Sequence, residues 1–402
     1  MRLLIALVAL FCLSGPVLAA EADDRPVTIL VSIDGFRADY LDRGVTPNLV
    51  ALAARGATGP MRPSFPTKTF PNHYTLVTGL RPDRHGIVGN SMIDPRRPGQ
   101  MFTIGDAKQA LDPFWWDEAE PLWITAEKAG MRTATAFWPG SEVPFGGVRP
   151  HDWLRFDYNI TNRQRIDIVL DWIRRPSANR PAFVTLYFDT VDTAGHKYGP
   201  DSDELNAAIA EVDARIGDLV AGLAAMDREA NLVIVSDHGM QAVSADRVVQ
   251  LDELIDSASY IPVVTGSYAA IEPVTGTDSR VADALLGHHD HMQCYRREDL
   301  PARLAYGKNP RVAAIMCLAD AGWSIVSGPQ KYAPDGGAHG YDNADPDMLA
   351  LFIASGPAFR KGAHLPMFDN VDVAPLLRAV LGLPQLETLD GHLADLEPAL
   401  AR

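Results

Sequence analysis

Three aspartates, three histidines and a threonine sit where short polar turns interrupt apolar runs. Asp34 follows the run 27–33, and Asp192 and His196 lie in D-T-A-G-H just beyond the run 182–188. Asp237 and His238 are adjacent after the run 231–235, and His339 lies in G-G-A-H-G. Thr69 lies in S-F-P-T-K-T-F-P-N-H. Three carboxylates and three imidazoles suit borderline divalent metals, zinc first. Two such ions about 3.5–4 Å apart would clamp the attacking and leaving oxygens of an in-line displacement. Thr69 would be the nucleophile, because metal coordination favours the alkoxide of an otherwise weak hydroxyl. Phe70-Pro71 then opens an apparent helix over 72–77, whose free N–H groups favour an anion. Taken singly these residues have plainer readings: Thr69 as a helix cap, each Asp as a turn cap. The combination is far more specific than its parts.

These side chains need a scaffold that brings distant turns together. The runs 27–33, 182–188, 231–235 and 348–354 read as fully buried strands of a mainly parallel sheet. Helical patterns alternate with them. Thr46 and Pro47 mark one helix start, and Asp201 with Glu204 another. Leu205, Ile209, Val212, Ile216 and Leu219 then recur with helical period. The fold class is therefore α/β, a mainly parallel central sheet flanked by helices. In open sheets of that kind ligands bind beyond the carboxyl ends of the strands, where Asp34, Asp192 and Asp237-His238 fall. The catalytic unit spans 21–240 and 334–402, and the less periodic stretch 241–333 reads as an inserted cap.

Residues 1–20 have a basic start, an apolar run over 3–13 and small residues at the end. That is the layout of a cleaved signal peptide, so the chain is expected to be exported, periplasmic or secreted. No later stretch is long and apolar enough to span a membrane. Cys294 and Cys317 are the cysteines beyond that leader; a disulfide and two buried thiols both stay open. With 36 basic against 51 acidic residues the chain of 402 carries −15. It is a poor partner for nucleic acid, and no stable nucleic-acid complex is expected. Positive charge for a phosphate-bearing substrate would have to come from something other than a Lys/Arg field, and bound metal is the obvious candidate. His288, His289, Asp290 and His291 look like a further metal cluster but read better as an exposed turn. Arg37 and Lys68 flank the site and read equally as solvated charges.

Seven strings run in order over about three quarters of the chain: V-S-I-D-G-F-R (31–37), P-T-K-T-F-P-N-H-Y-T-L-V-T-G-L (66–80), H-G-I-V-G-N (85–90), F-W-P-G-S (137–141), D-T-A-G-H-K-Y-G-P (192–200), S-D-H-G-M (236–240) and G-A-H-G-Y (337–341). Together they resemble the nucleotide pyrophosphatase/phosphodiesterase family of the alkaline phosphatase superfamily. The resemblance implies an alkaline-phosphatase-like fold and two Zn2+ ions. It assigns Asp192, His196 and His339 to one ion, and Asp34, Thr69, Asp237 and His238 to the other. It makes Asn90 a donor to a non-bridging phosphate oxygen. It also places Phe70 and Tyr158 against a nucleotide base, with Tyr187 in the same pocket; core packing is the plainer reading of such aromatics. A small nucleotide would be the substrate, cleaved to a nucleoside monophosphate through a covalent threonyl-nucleotide. A phosphomonoesterase, a phosphonate hydrolase or a lipid-headgroup phosphodiesterase could use the same metal pair. A non-catalytic metal- or nucleotide-binding protein would not need Thr69. Oligomeric state is left open.

Overall fold

The computed structural model describes residues 25–329 and 334–401, so the proposed leader lies outside the described residues. The central sheet comprises β1 (Val27–Ile33), β2 (Ala57–Thr58), β3 (Thr133–Ala136), β4 (Asp152–Leu154), β5 (Phe183–Phe188), β6 (Ala230–Val235), β7 (Phe352–Ser355) and β8 (Ala363–His364). Their spatial order is 8-2-7-6-1-5-3-4. β4, β3, β5, β1 and β6 run parallel, whereas β7 is antiparallel to both neighbours.

β1 reads V-T-I-L-V-S-I, and all seven residues are buried. Alternation persists beneath that uniform burial. Leu30 joins one apolar cluster while Ile29, Val31 and Ile33 join the cluster on the opposite face. Successive strand side chains point to opposite faces, so covering both faces removes any polar–apolar alternation from the sequence. α1 (Pro47–Ala54), α2 (Thr69–Thr78), α3 (Asn162–Arg174), α4 (Thr190–Tyr198), α5 (Asp203–Ala225) and α6 (Val373–Leu381) supply the covering layers. Leu205, Ile209, Val212, Ile216 and Leu219 of α5 are buried in one cluster with Ile166 and Val169 of α3. Leu76 of α2 and Leu377 of α6 lie in the other.

Three local expectations are corrected. Thr46 makes no side-chain cap for α1; its hydroxyl donates to Leu41 O at 3.1 Å. Asp213, buried within the α5 stripe, accepts from Leu49 N at 2.8 Å and Asn48 N at 3.1 Å instead. A carboxylate from another element thus satisfies the free N–H groups that a local cap would serve. Ser202, not Asp201, caps α5 by accepting from Leu205 N at 3.1 Å. The run 348–354 is a strand only from Phe352, because Pro346–Met348 form a 3-10 turn, and that strand is the antiparallel one.

Within 241–333 lies a second, five-stranded antiparallel sheet. Its order is Tyr260–Val264, Tyr268–Pro273, Ile315–Ala319, Met292–Arg296 and Gly287–His289. It packs with the helix Asp278–Leu285 around its own cluster, which includes Ile271, Val281 and Ile315. The ribbon of Gln241–Val243 against Gly336–Ala338 joins the two ends of this segment. Cys294 and Cys317 face each other on adjacent strands, Cα–Cα 3.9 Å, and are joined as a disulfide. The Cys294→Ala/Cys317→Ala double variant should lose on the order of 3 kcal/mol in denaturant unfolding, as expected for closing a loop of this size. Intact-mass analysis of the native chain should read two hydrogen atoms below the dithiol form; a dithiol mass would exclude the bond.

Candidate active site

β5, β1 and β6 are parallel neighbours, so their carboxyl ends open on one edge. Asp34 comes directly after β1, and Asp237 and His238 after β6. α4 follows β5 and carries Asp192 and His196 one turn apart on the same face. Thr69 is the first residue of α2; Lys68 holds the cap position, so the threonine does not cap this helix. His339 enters directly after Gly336–Ala338. All seven expected side chains therefore converge on one cluster at this edge.

Asp192 Oδ1 is 3.4 Å from His196 Nε2 and 3.8 Å from His339 Nε2, and the two Nε2 atoms are 3.1 Å apart. His196 Nδ1 donates to Gly337 O and His339 Nδ1 to Thr67 O, each at 2.8 Å. With the ring proton committed to Nδ1, each neutral imidazole presents a lone pair at Nε2. Two lone pairs at that separation repel each other unless a cation lies between them. His238 repeats the arrangement: Nδ1 donates to Gly239 O at 2.9 Å, and Nε2 faces Asp237 Oδ2 at 3.0 Å and Asp34 Oδ1 at 3.4 Å. The Thr69 hydroxyl lies 3.4 Å from the same Nε2.

The carboxylates tell the same story. Asp34 Oδ1, Asp192 Oδ1 and Asp237 Oδ2 are buried without a hydrogen-bond partner. Burial, then the charges of Asp237 and Asp192, push the Asp34 carboxyl well above its ordinary range. Burial would lower the His238 pKa, yet the Asp237 carboxylate raises it. Burial and the neighbouring His238, Lys68 and His196 push the His339 imidazole down. Crowded anions and opposed lone pairs are what a cation site looks like without its cation's charge. Among the described residues the groups able to hold a metal are Asp192–His196–His339, Asp34–Asp192–His238 and Asp34–His73–Asp237. The donor set fits a divalent metal.

The flanking cations are not solvated charges. Arg37 pairs with Asp39 at 2.6 Å and Asp347 at 3.0 Å. Lys68 Nζ donates to His339 O at 2.5 Å. His288, His289, Asp290 and His291 form no metal group among the described residues. The expected turn is partly strand: His289 ends an edge strand, and His291 stacks on Trp323 with ring centroids 3.5 Å apart.

A cavity of about 340 Å³ opens beside Thr69, walled by Phe70, Trp116, Phe137, Tyr158 and Tyr187. Phe70 and Tyr158 thus border one space, and Tyr158 is 77% exposed, free to meet a ligand face. Tyr187 lines it too, but its hydroxyl donates to Asp34 Oδ2 at 2.6 Å. Asn90 Oδ1 accepts from Phe70 N at 2.9 Å, which leaves its NH2 group as a donor; with Pro71 lacking an N–H and Asn72 N bonded to Lys68 O at 3.1 Å, the start of α2 does not offer the row of free N–H groups expected for an anion.

Sequence reasoning missed three contributors. His73 Nδ1 donates to Thr69 O at 2.8 Å and lies 3.4 Å from Asp237 Oδ2. Ser32 Oγ holds its Nε2 at 2.8 Å, so the ring braces both loops. Its position in α2, one turn after Thr69, was the available signal. Arg165 Nη1 donates to Asp189 Oδ1 at 2.7 Å and Tyr187 O at 3.0 Å. Gly35 has φ +69° and its Cβ would meet Asp192 Cα at 2.9 Å, so only glycine admits α4 this close.

Residues 28–342 match the family model described as type I phosphodiesterase/nucleotide pyrophosphatase. The chain is 38% identical over 407 residues to an uncharacterized pyrophosphatase/phosphodiesterase of Schizosaccharomyces pombe, covering 95% of this chain and 84% of that one. It is 38% identical over 362 residues to a bis(5'-adenosyl)-triphosphatase of Xenopus laevis, covering 89% and 78%. Among solved structures it is similar to an inactive variant of murine ectonucleotide pyrophosphatase/phosphodiesterase 5 in complex with AMP. That match has a TM-score of 0.88 at 35% identity and covers 94% of this chain and 100% of the other. A metal-competent edge beside a threonine hydroxyl, on a fold shared at this identity over nearly the whole chain, makes this protein a member of the type I phosphodiesterase/nucleotide pyrophosphatase family.

Proposed function

We propose that this hydrolase cleaves nucleoside polyphosphates, dinucleotide polyphosphates and related diesters to nucleoside monophosphates, with Thr69 as nucleophile. The observation that carries this is the Thr69 hydroxyl at the start of α2, 3.4 Å from His238, opening on a cavity walled by aromatics. Thr69 Oγ attacks the phosphorus next to the nucleoside and its proton leaves to solvent. The Oγ–P bond forms as the opposite P–O bond breaks, and the leaving oxygen takes that electron pair. Water then attacks the threonyl phosphorus, the Oγ–P bond breaks, Oγ regains a proton, and a nucleoside monophosphate is released. Asn90 donates to a non-bridging oxygen through its NH2 group. Phe70 and Tyr158 hold the base between them, and Tyr187 steadies Asp34. The AMP complex of the murine relative and the name of the frog relative support an adenine nucleotide.

The metals we assign are two Zn2+ ions. Asp192, His196 and His339 would hold one; Asp34, Thr69, Asp237 and His238 would hold the other. When bound they supply the positive charge that activates the hydroxyl and neutralises the phosphoryl and leaving oxygens. Their support is the donor chemistry and the opposed lone pairs. We also propose 21–240 with 334–402 as the catalytic unit and 241–333 as the cap, which the five-stranded sheet of the latter and the apolar cluster around it support. Export through residues 1–20 rests on their composition; among the described residues no helix is long and apolar enough to cross a membrane.

Thr69→Ala should cut AMP release from ATP by at least about a thousandfold, as loss of a nucleophile does, while elemental analysis still finds about two zinc per chain. Near-normal turnover would refute the nucleophile. Phe70→Ala or Tyr158→Ala should raise KM for a nitrophenyl nucleotide diester about tenfold, given about 1–3 kcal/mol per base stack. A bare nitrophenyl diester should respond little, and equal responses would argue against stacking. Chelator dialysis should lower Tm, and zinc should restore it. That zinc-dependent gain should shrink as pH is lowered, because protons compete for imidazole and His238, whose pKa the Asp237 carboxylate raises, takes its proton early; a pH-independent gain would count against histidine ligation.

A further inference from the structure

The cap reaches the catalytic unit through a buried arginine. Arg311 is 1% exposed, and its guanidinium uses all five donors. Nε donates to Asp94 Oδ2 at 2.8 Å, Nη1 to Gly86 O at 2.9 Å and Trp115 O at 2.7 Å, and Nη2 to Phe114 O at 3.1 Å and Asp117 Oδ1 at 2.9 Å. Gly86 has φ +79°, and any Cβ there would come within 2.7 Å of Arg311 Nη1. Five residues earlier in the cap, the Tyr306 hydroxyl donates to Val88 O at 2.7 Å. Asp83 accepts from Gly307, Lys308 and Asn309 N–H groups at 2.7–3.2 Å, closing the joint from the other side.

Gly86 and Val88 are the carbonyls of the short segment that delivers Asn90. Trp115 leads into Trp116, which walls the cavity and lies 6.0 Å from Phe70. The cap therefore grips the backbone four and two residues before the phosphate donor. Carbonyls deep in a protein need their partners, and removing a charged donor from several of them at once leaves each unpaired.

We propose that Arg311 and Tyr306 are positioning residues for Asn90, so that the cap is a strut of the active site. The inference rests on the reading of Asn90 as a phosphate-oxygen donor. Such a donor acts most strongly on the charge that develops in the transition state, so its displacement lowers kcat more than it raises KM.

The test is a double-mutant cycle on a nitrophenyl nucleotide diester, with zinc per chain and Tm measured for every variant. Tyr306→Phe removes one hydroxyl and no packing volume, so it keeps the test alive if Arg311→Lys does not fold. Tyr306→Phe should lower kcat about fivefold and Arg311→Lys about tenfold to a hundredfold, in line with the cost of misplacing a catalytic group. KM should move less than about twofold, and zinc content should hold. In an Asn90→Ala background both effects on kcat should shrink to within about twofold, because residues acting through one group are not additive. Full multiplicative losses in that background would overturn the strut while leaving Asn90's role standing. Near-wild-type turnover by Asn90→Ala alone would overturn both.

Discussion

Uncompensated negative charge governs this molecule. Three carboxylates converge beyond β1, β5 and β6 with partnerless buried oxygens, and imidazole lone pairs face them or one another. The ammonium of Lys68 donates to a backbone carbonyl. In a low-dielectric setting such crowding is costly, and a divalent cation removes that cost while creating an electrophilic centre. The same property that draws a cation makes the site useful, since a chain of net charge −15 offers little other attraction for a phosphate.

The fold converts this into directed chemistry by removing freedom from each ligand. Backbone carbonyls of Gly337, Thr67 and Gly239 hold the Nδ1 protons of His196, His339 and His238, so tautomer and ring direction are set together. Gly35 lets α4 approach the end of β1, and His73 braces α2 against the loop after β6. Parallel strands buried on both faces make a rigid floor for these loops, and the hydroxyl proposed as nucleophile belongs to the first residue of α2, next to the Phe70 N–H that Asn90 holds.

The segment 241–333 has its own sheet, apolar cluster and disulfide; it lends Tyr268, Leu304 and Met316 to the main core and adds buried polar contacts beside them. An arginine with five partners is directional in a way that an apolar contact is not, because its planar donors accept only one arrangement of the surrounding carbonyls. Such a joint transmits position. It links the segment 241–333 to the loop 85–90 and to the aromatic wall of the cavity.

Much of the site was legible in the chain itself. Carboxylate and imidazole types at the ends of apolar runs specified metal chemistry, and ordered motifs specified the family, because ligand identity is a property of the residue. The α/β class was legible for the same reason, since runs buried on both faces differ from amphipathic helices in composition. Capping was misread at Thr46 because Asp213, 167 residues away, satisfies those N–H groups. Tertiary structure alone decided the antiparallel course of β7, the pairing of Cys294 with Cys317, the bracing by His73 and Arg165, and the grip of Arg311 on the Asn90 loop. Those outcomes depend on which distant groups folding brings within hydrogen-bonding reach, and such distances are set by packing rather than by the residues nearby in sequence.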